Sequence, residues 1–157
     1  MHLEGSCHCG AVRFSLESRE PMPYMRCYCS ICRKTGGGGG YAINLGGSAD
    51  TLKVQGDAAV RVYQARLPDG DLSPARRHFC GTCGSALWAF DPRWPELVHP
   101  FASAIDTELP VPPTSCHIML GSKASWVPVE TASGDETFDA YPDRSLHDWH
   151  KDHGLLS

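Results

Sequence analysis

The chain has 157 residues, of which 41% are apolar and 20% charged, with a formal net charge of −4, as in an ordinary soluble domain. The acidic balance argues against a general binder of nucleic acid or anionic membranes, and no apolar run approaches the ~18 residues of a membrane span. The N-terminal MHLEGSCHCG has neither a basic n-region nor an apolar h-region, so it does not read as a secretory signal, and a cytoplasmic location is expected.

In chain order, the first clear pattern is an alternation. Val12, Phe14 and Leu16 face one way, with Arg13, Ser15 and Glu17 opposite. Further short strands are expected at 41–45, around Leu52 and Val54, and where Val60 and Val62 alternate with Arg61 and Tyr63. Others are expected at 77–80, 86–90, 115–120 and 136–141. Pro68-Asp69-Gly70 is a turn signal, and 12 prolines and 16 glycines interrupt any long helical period. The exception is the tail, where SLHDWHKDH at 145–153 predicts a short helix ending at Gly154. The fold class expected is mostly β, in one domain over 1–157.

Eight cysteines point to metal rather than disulfides, because no export signal is evident and seven of them sit in tight groups. The groups are Cys7-x-Cys9, Cys27-x-Cys29-x-x-Cys32 and Cys80-x-x-Cys83. Cys9 and Cys83 are each followed by a glycine, Gly10 and Gly84. A metal knuckle turns its backbone so that amides point at the sulfurs, and the residue after the second cysteine often needs positive φ. Cys7, Cys9, Cys80 and Cys83 therefore read as one closed four-thiolate site, the arrangement of structural zinc. Cys27, Cys29 and Cys32 remain, as three ligands with one position open, which is the catalytic arrangement. Two other readings stay open for them: closure by a fourth ligand such as Cys116 or His117, or a redox role.

Around this cluster, Arg26, Arg33 and Lys34 could offset thiolate charge or hold a substrate carboxylate, or form a solvated basic loop. The run Gly36–Gly40 leads into a strand and lacks a phosphate-loop pattern. It either lets a ligand approach the backbone or forms a surface loop. His117 is a candidate general base, a partner to a metal ligand, or a core histidine. Cys116 reads as a small buried apolar residue, and Tyr41 as a possible wall of the open site. Trp88, Trp94 and Trp126 read as core or pocket walls. His147, His150 and His153 read as a solvated tail able to pick up stray metal.

The stretches GSCHCGAVRFSL, CYCSICRKTGG, FCGTCGSALW and HIMLGSKASWVPV occur in an order that resembles the glutathione-dependent formaldehyde-activating enzyme family, which includes the centromere protein V-like domains. The resemblance covers about 3–142, leaving 143–157 as a tail. It implies a β-tent of short antiparallel strands, a structural zinc on Cys7, Cys9, Cys80 and Cys83, and a second, catalytic zinc on Cys27, Cys29 and Cys32. It also implies the joining of formaldehyde to the thiol of glutathione, formally a carbon–sulfur lyase in reverse. The partners expected are thus a small-molecule thiol and a small aldehyde. A non-catalytic zinc-stabilised binding module and a cysteine redox protein are the competing readings.

Overall fold

The computed structural model describes residues 1–156. Among these residues, twelve short strands form three sheets. The first sheet joins β1 (His2–Ser6), β2 (Arg13–Glu17) and β6 (Lys53–Gln55) in the order β1-β2-β6. The second joins β5 (Gly47–Ser48), β7 (Val60–Tyr63), β8 (Arg76–Cys80), β9 (Ala86–Phe90) and β10 (Leu97–Pro100) in the order β5-β10-β9-β8-β7. The third joins β3 (Tyr24–Cys27), β4 (Ala42–Asn44), β11 (Ser115–Ile118) and β12 (Glu136–Thr137) in the order β12-β11-β3-β4. Two α-helices complete the described residues, α1 (Ser30–Gly36) and α2 (Leu146–Asp152), with short 3-10 turns between strands.

Most pairings are antiparallel, as the β-tent implies. β11 departs from this, running parallel to both β3 and β12. Long connections make that possible, since parallel neighbours cannot be joined by a tight hairpin. The pairing sets Ile118 opposite Cys27 and His117 opposite Arg26.

The alternation of β2 is realised: Val12, Phe14 and Leu16 are buried, and Arg13 and Glu17 are exposed. Their buried face meets Leu3, Leu87, Trp88 and Val98, packing the first sheet on the second. Phe14 and Trp88 meet at 5.1 Å between ring centres with a 58° tilt, an arrangement that aromatic pairs favour. A second core forms around Cys27, Cys32, Ala42, Phe101, Cys116 and Ile118. The second cysteine cluster is thus built into a packed interior, with Cys29 half-buried at its edge.

Several expectations are revised. Val62 and Tyr63 are exposed on β7, the edge of its sheet. Trp94 and Trp126 are 49% and 63% exposed, so only Trp88 of that trio is core. The tail is docked rather than solvated: Trp149 and His150 are buried, and His150 Nε2 bonds to the Met22 carbonyl at 2.6 Å. The strands β1, β3, β5 and β10 lie outside the expected set: β1 and β10 do alternate in burial, but their buried faces include Gly5 and Pro100, which carry no strand signal. In β3, between β11 and β4, the ends Tyr24 and Cys27 are buried and Met25 and Arg26 half-buried, so its pattern is not period two.

Candidate metal centres

The two knuckles are hairpin tips. Cys7-His8-Cys9-Gly10 turns β1 into β2, with the Cys7 amide donating to the Val12 carbonyl and the Gly10 amide to the Cys7 carbonyl, both at 3.0 Å. Cys80-Gly81-Thr82-Cys83-Gly84 turns β8 into β9, with the Gly84 amide donating to the Cys80 carbonyl at 2.8 Å. Gly10 and Gly84 have φ of 77° and 80°, the left-handed turn for which glycine pays least. The matching glycines thus mark matching backbones.

The tips come together from two different sheets. All four sulfurs of Cys7, Cys9, Cys80 and Cys83 lie within 4.8 Å of one another. Cys7 and Cys9 Sγ are 3.6 Å apart, and Cys9 and Cys80 Sγ are 3.8 Å apart. A tetrahedron with metal–sulfur bonds near 2.3 Å needs sulfur–sulfur spacings of about 3.8 Å. The donor set fits zinc. Backbone amides are aimed at the sulfurs, as with Val12 N to Cys7 Sγ at 3.2 Å. The Ser85 hydroxyl, with the Cys9 and Ser85 amides, holds the Cys83 thiol down at about 5.

Cys27, Cys29 and Cys32 form a second group with their sulfurs within the same 4.8 Å limit. Cys27 ends β3, Cys29 is the N-cap of α1, and Cys32 lies in the first turn of α1. The Cys32 amide donates to Cys29 Sγ at 3.3 Å, so the capping interaction also orients a candidate ligand. Cys27 and Cys32 are buried, and Cys29 is half-buried. Hydrogen bonds with Cys27 and then Cys32 hold Cys29 far below the ordinary thiol range, while the contacts with Cys29 push Cys27 up. Cys32 is pushed up as well, so the close contact of the three sulfurs favours a thiolate at Cys29.

Among the described residues, no fourth metal-ligating atom joins this trio. Cys116 packs in the same core, and burial pushes its thiol up to about 11, consistent with a small apolar filler. His117 is fully buried with both ring nitrogens engaged: Nδ1 with the Tyr28 hydroxyl at 2.8 Å and Nε2 with Asp135 Oδ2 at 3.1 Å. Those are the bonds of a core histidine.

Arg26 lies over the Tyr41 ring at 5.3 Å, and Tyr41 packs on Tyr28 at 5.1 Å. Arg33 and Lys34 sit in the last turn of α1. The cation on a cysteine sulfur is instead Arg77, whose Nη2 donates to Cys32 Sγ at 3.4 Å. Sequence reasoning missed it because the partners are 45 residues apart; only the approach of β8 to α1 reveals the contact. A polar cleft of about 540 Å³ runs between both knuckles and the end of α1, lined among others by Ser6, His8, Thr35, Ser85 and Asp106. A smaller cavity of about 260 Å³ under Leu52, His78, Trp88 and Val98 involves none of the clustered cysteines.

The family model described as glutathione-dependent formaldehyde-activating enzyme matches residues 2–122. A curated protein of Halomonas elongata, named "Putative glutathione-dependent formaldehyde-activating enzyme", is 62% identical over 155 residues, spanning 99% of this chain and 98% of that protein. The crystal structure of a Rhodobacter sphaeroides protein matches with a TM-score of 0.55 at 28% identity, covering 68% of this chain and 91% of that one. All seven clustered cysteines fall within the matched segment, and the chain belongs to the glutathione-dependent formaldehyde-activating enzyme family.

Proposed function

We propose that this protein is a zinc-dependent enzyme that adds a small thiol such as glutathione to a small aldehyde such as formaldehyde, with Cys27, Cys29 and Cys32 as the reactive centre. The observation that carries this reading is the separation of the cysteines into one complete four-sulfur group and one three-sulfur group with no further ligand among the described residues. Cys7, Cys9, Cys80 and Cys83 would hold a structural zinc between two hairpins. A zinc ion on Cys27, Cys29 and Cys32 would supply a cationic position at which a substrate thiol is deprotonated near neutral pH.

The chain's own groups support that role. Burial of Cys27 and Cys32 keeps water from one side of the centre. The N-cap bond from the Cys32 amide fixes Cys29, and Arg77 offsets charge on Cys32. The polar cleft at the C-terminal end of α1, lined by the hydroxyls of Ser6, Thr35, Ser85 and Ser103, reaches Cys7 of the four-sulfur group and would take the body of a peptide-like thiol only along α1. Membership of the family, and the name carried by the Halomonas elongata relative, favour glutathione and formaldehyde as the pair.

Metal analysis tests the reading. Two zincs per chain are expected, one of them lost on mild chelation without unfolding, together with the adduct-forming activity. Cys29→Ser is expected to remove only the labile zinc. One tightly held zinc, with none bound at Cys27, Cys29 and Cys32 even after zinc is supplied, would leave a binding module. A reversible disulfide among these three in a physiological redox buffer would favour the redox reading.

A further inference from the structure

Arg77 lies on β8, opposite Tyr63 on β7 and Ala89 on β9. Only part of its guanidinium is used. Nη2 donates to Cys32 Sγ at 3.4 Å, whereas Nη1 is buried and has no hydrogen-bond partner in the described structure. The guanidinium is a rigid planar fork. With one arm on the sulfur, the other is held beside that same sulfur. Buried donors are nearly always paired, so one left open here needs an explanation.

We propose that Arg77 is the oxyanion-binding residue of this centre, its open Nη1 donating to a negatively charged ligand oxygen seated next to Cys32. The inference rests on the reading of the cluster as the site of thiol addition. In that addition the sulfur lone pair forms the C–S bond and the carbonyl π pair moves onto oxygen. The proton released by the thiol returns to that oxygen through solvent, and nothing is oxidised or reduced. Negative charge therefore grows on an oxygen beside three thiolates, which would repel it. A fixed cation already anchored on one of those sulfurs counters the repulsion without reorganising. A carboxylate of the thiol substrate presents the same oxygen chemistry, so the two sources must be told apart.

The test uses zinc-loaded wild type, Arg77→Gln and Arg77→Lys, with folding checked by circular dichroism and retention of the tightly held zinc. The first measurement is the rate of alkylation of Cys27, Cys29 and Cys32 by anionic iodoacetate relative to neutral iodoacetamide, followed by mass spectrometry. A charge-assisted hydrogen bond should raise that ratio about 10- to 100-fold in the wild type above the value for free glutathione. Formate should protect. Arg77→Gln should bring the ratio to that of a free thiol and abolish protection, while Arg77→Lys should keep part of both. Equal ratios in wild type and Arg77→Gln overturn the proposal, including the case where the variant merely holds the labile zinc less tightly.

The second measurement is turnover at full zinc occupancy. A fall in kcat of about 10²–10³ with unchanged KM for the thiol assigns the aldehyde oxygen to Arg77, whereas a rise in that KM alone assigns the thiol's carboxylate. A wild type with no turnover but Arg77-dependent iodoacetate selectivity rejects the proposed enzyme and keeps the oxyanion site.

Discussion

Gly40 has a φ of 97°, and a β-carbon placed on it would lie 2.2 Å from Val127 Cγ2. Gly37 is equally confined, since its β-carbon would meet the Tyr41 carbonyl oxygen at 2.4 Å. Gly38 is different, with nothing within 4 Å. The glycine run is therefore a packed turn at both ends, closed by the Gly40 amide on the Gly37 carbonyl at 2.9 Å, with a free middle. Gly40→Ala is expected to cost about 1–3 kcal/mol, from overpacking and left-handed strain. Gly38→Ala should cost under 1 kcal/mol. Chemical denaturation of the two variants checks the contrast. At the cysteines the asymmetry is between sites. Cys83→Ser breaks the closed group that links two sheets and is expected to prevent stable folding. A soluble, cooperatively unfolding Cys83→Ser protein would remove the structural assignment.

Among the elements, α2 shows how a short helix is held. Ser145 caps it, its hydroxyl accepting from the Asp148 amide at 3.1 Å. Seven residues do not hold a helix in water by propensity alone, so docking must do so. Trp149 is 6% exposed and stacks on His153 with ring centres 3.8 Å apart. Arg144 adds an ion pair to Asp152 at 2.9 Å and another to Glu136. Trp149→Ala should cost about 2–4 kcal/mol locally. Faster hydrogen exchange confined to 146–152, with metal content unchanged, is the expected signature. A fall in metal content instead would show that α2 supports the knuckles.

At the scale of the molecule, the two cores meet along β9, and each has its own fastening. The four-sulfur group joins the first and second sheets. The third sheet is tied by Asp135, which accepts the Ser115 amide at 2.7 Å and the Ala132 amide at 2.9 Å, and pairs with His117. The Ser115 amide first, then the Ala132 amide and His117, hold its carboxyl down at about 2. The folded value lies below the unfolded one of about 3.9. Its stabilisation is thus complete above about pH 4 and is lost as pH falls toward 2. Asp135→Asn should lose about 1.5–3 kcal/mol at neutral pH and lack this acid-dependent component. Any metal held by the cysteine groups would also be released in acid, so the measured quantity is the difference between wild type and variant across pH 2–5.

Local chemistry in the sequence determined the parts whose cause is local. The glycine after each knuckle, the cysteine spacings, the alternation of Val12, Phe14 and Leu16, and the capped tail helix all depend on neighbours within a few residues. Those features gave a mostly β chain and two cysteine groups of different size. The tertiary structure decided what depends on distant segments meeting. It brought the β1–β2 and β8–β9 tips together, set β11 parallel to β3, and spent both nitrogens of His117 on Tyr28 and Asp135. It also placed Arg77, rather than the arginines adjacent in sequence, on the Cys32 sulfur. A side chain's partner across a sheet is set by register and packing, and neither is encoded within the span that a local motif can reach.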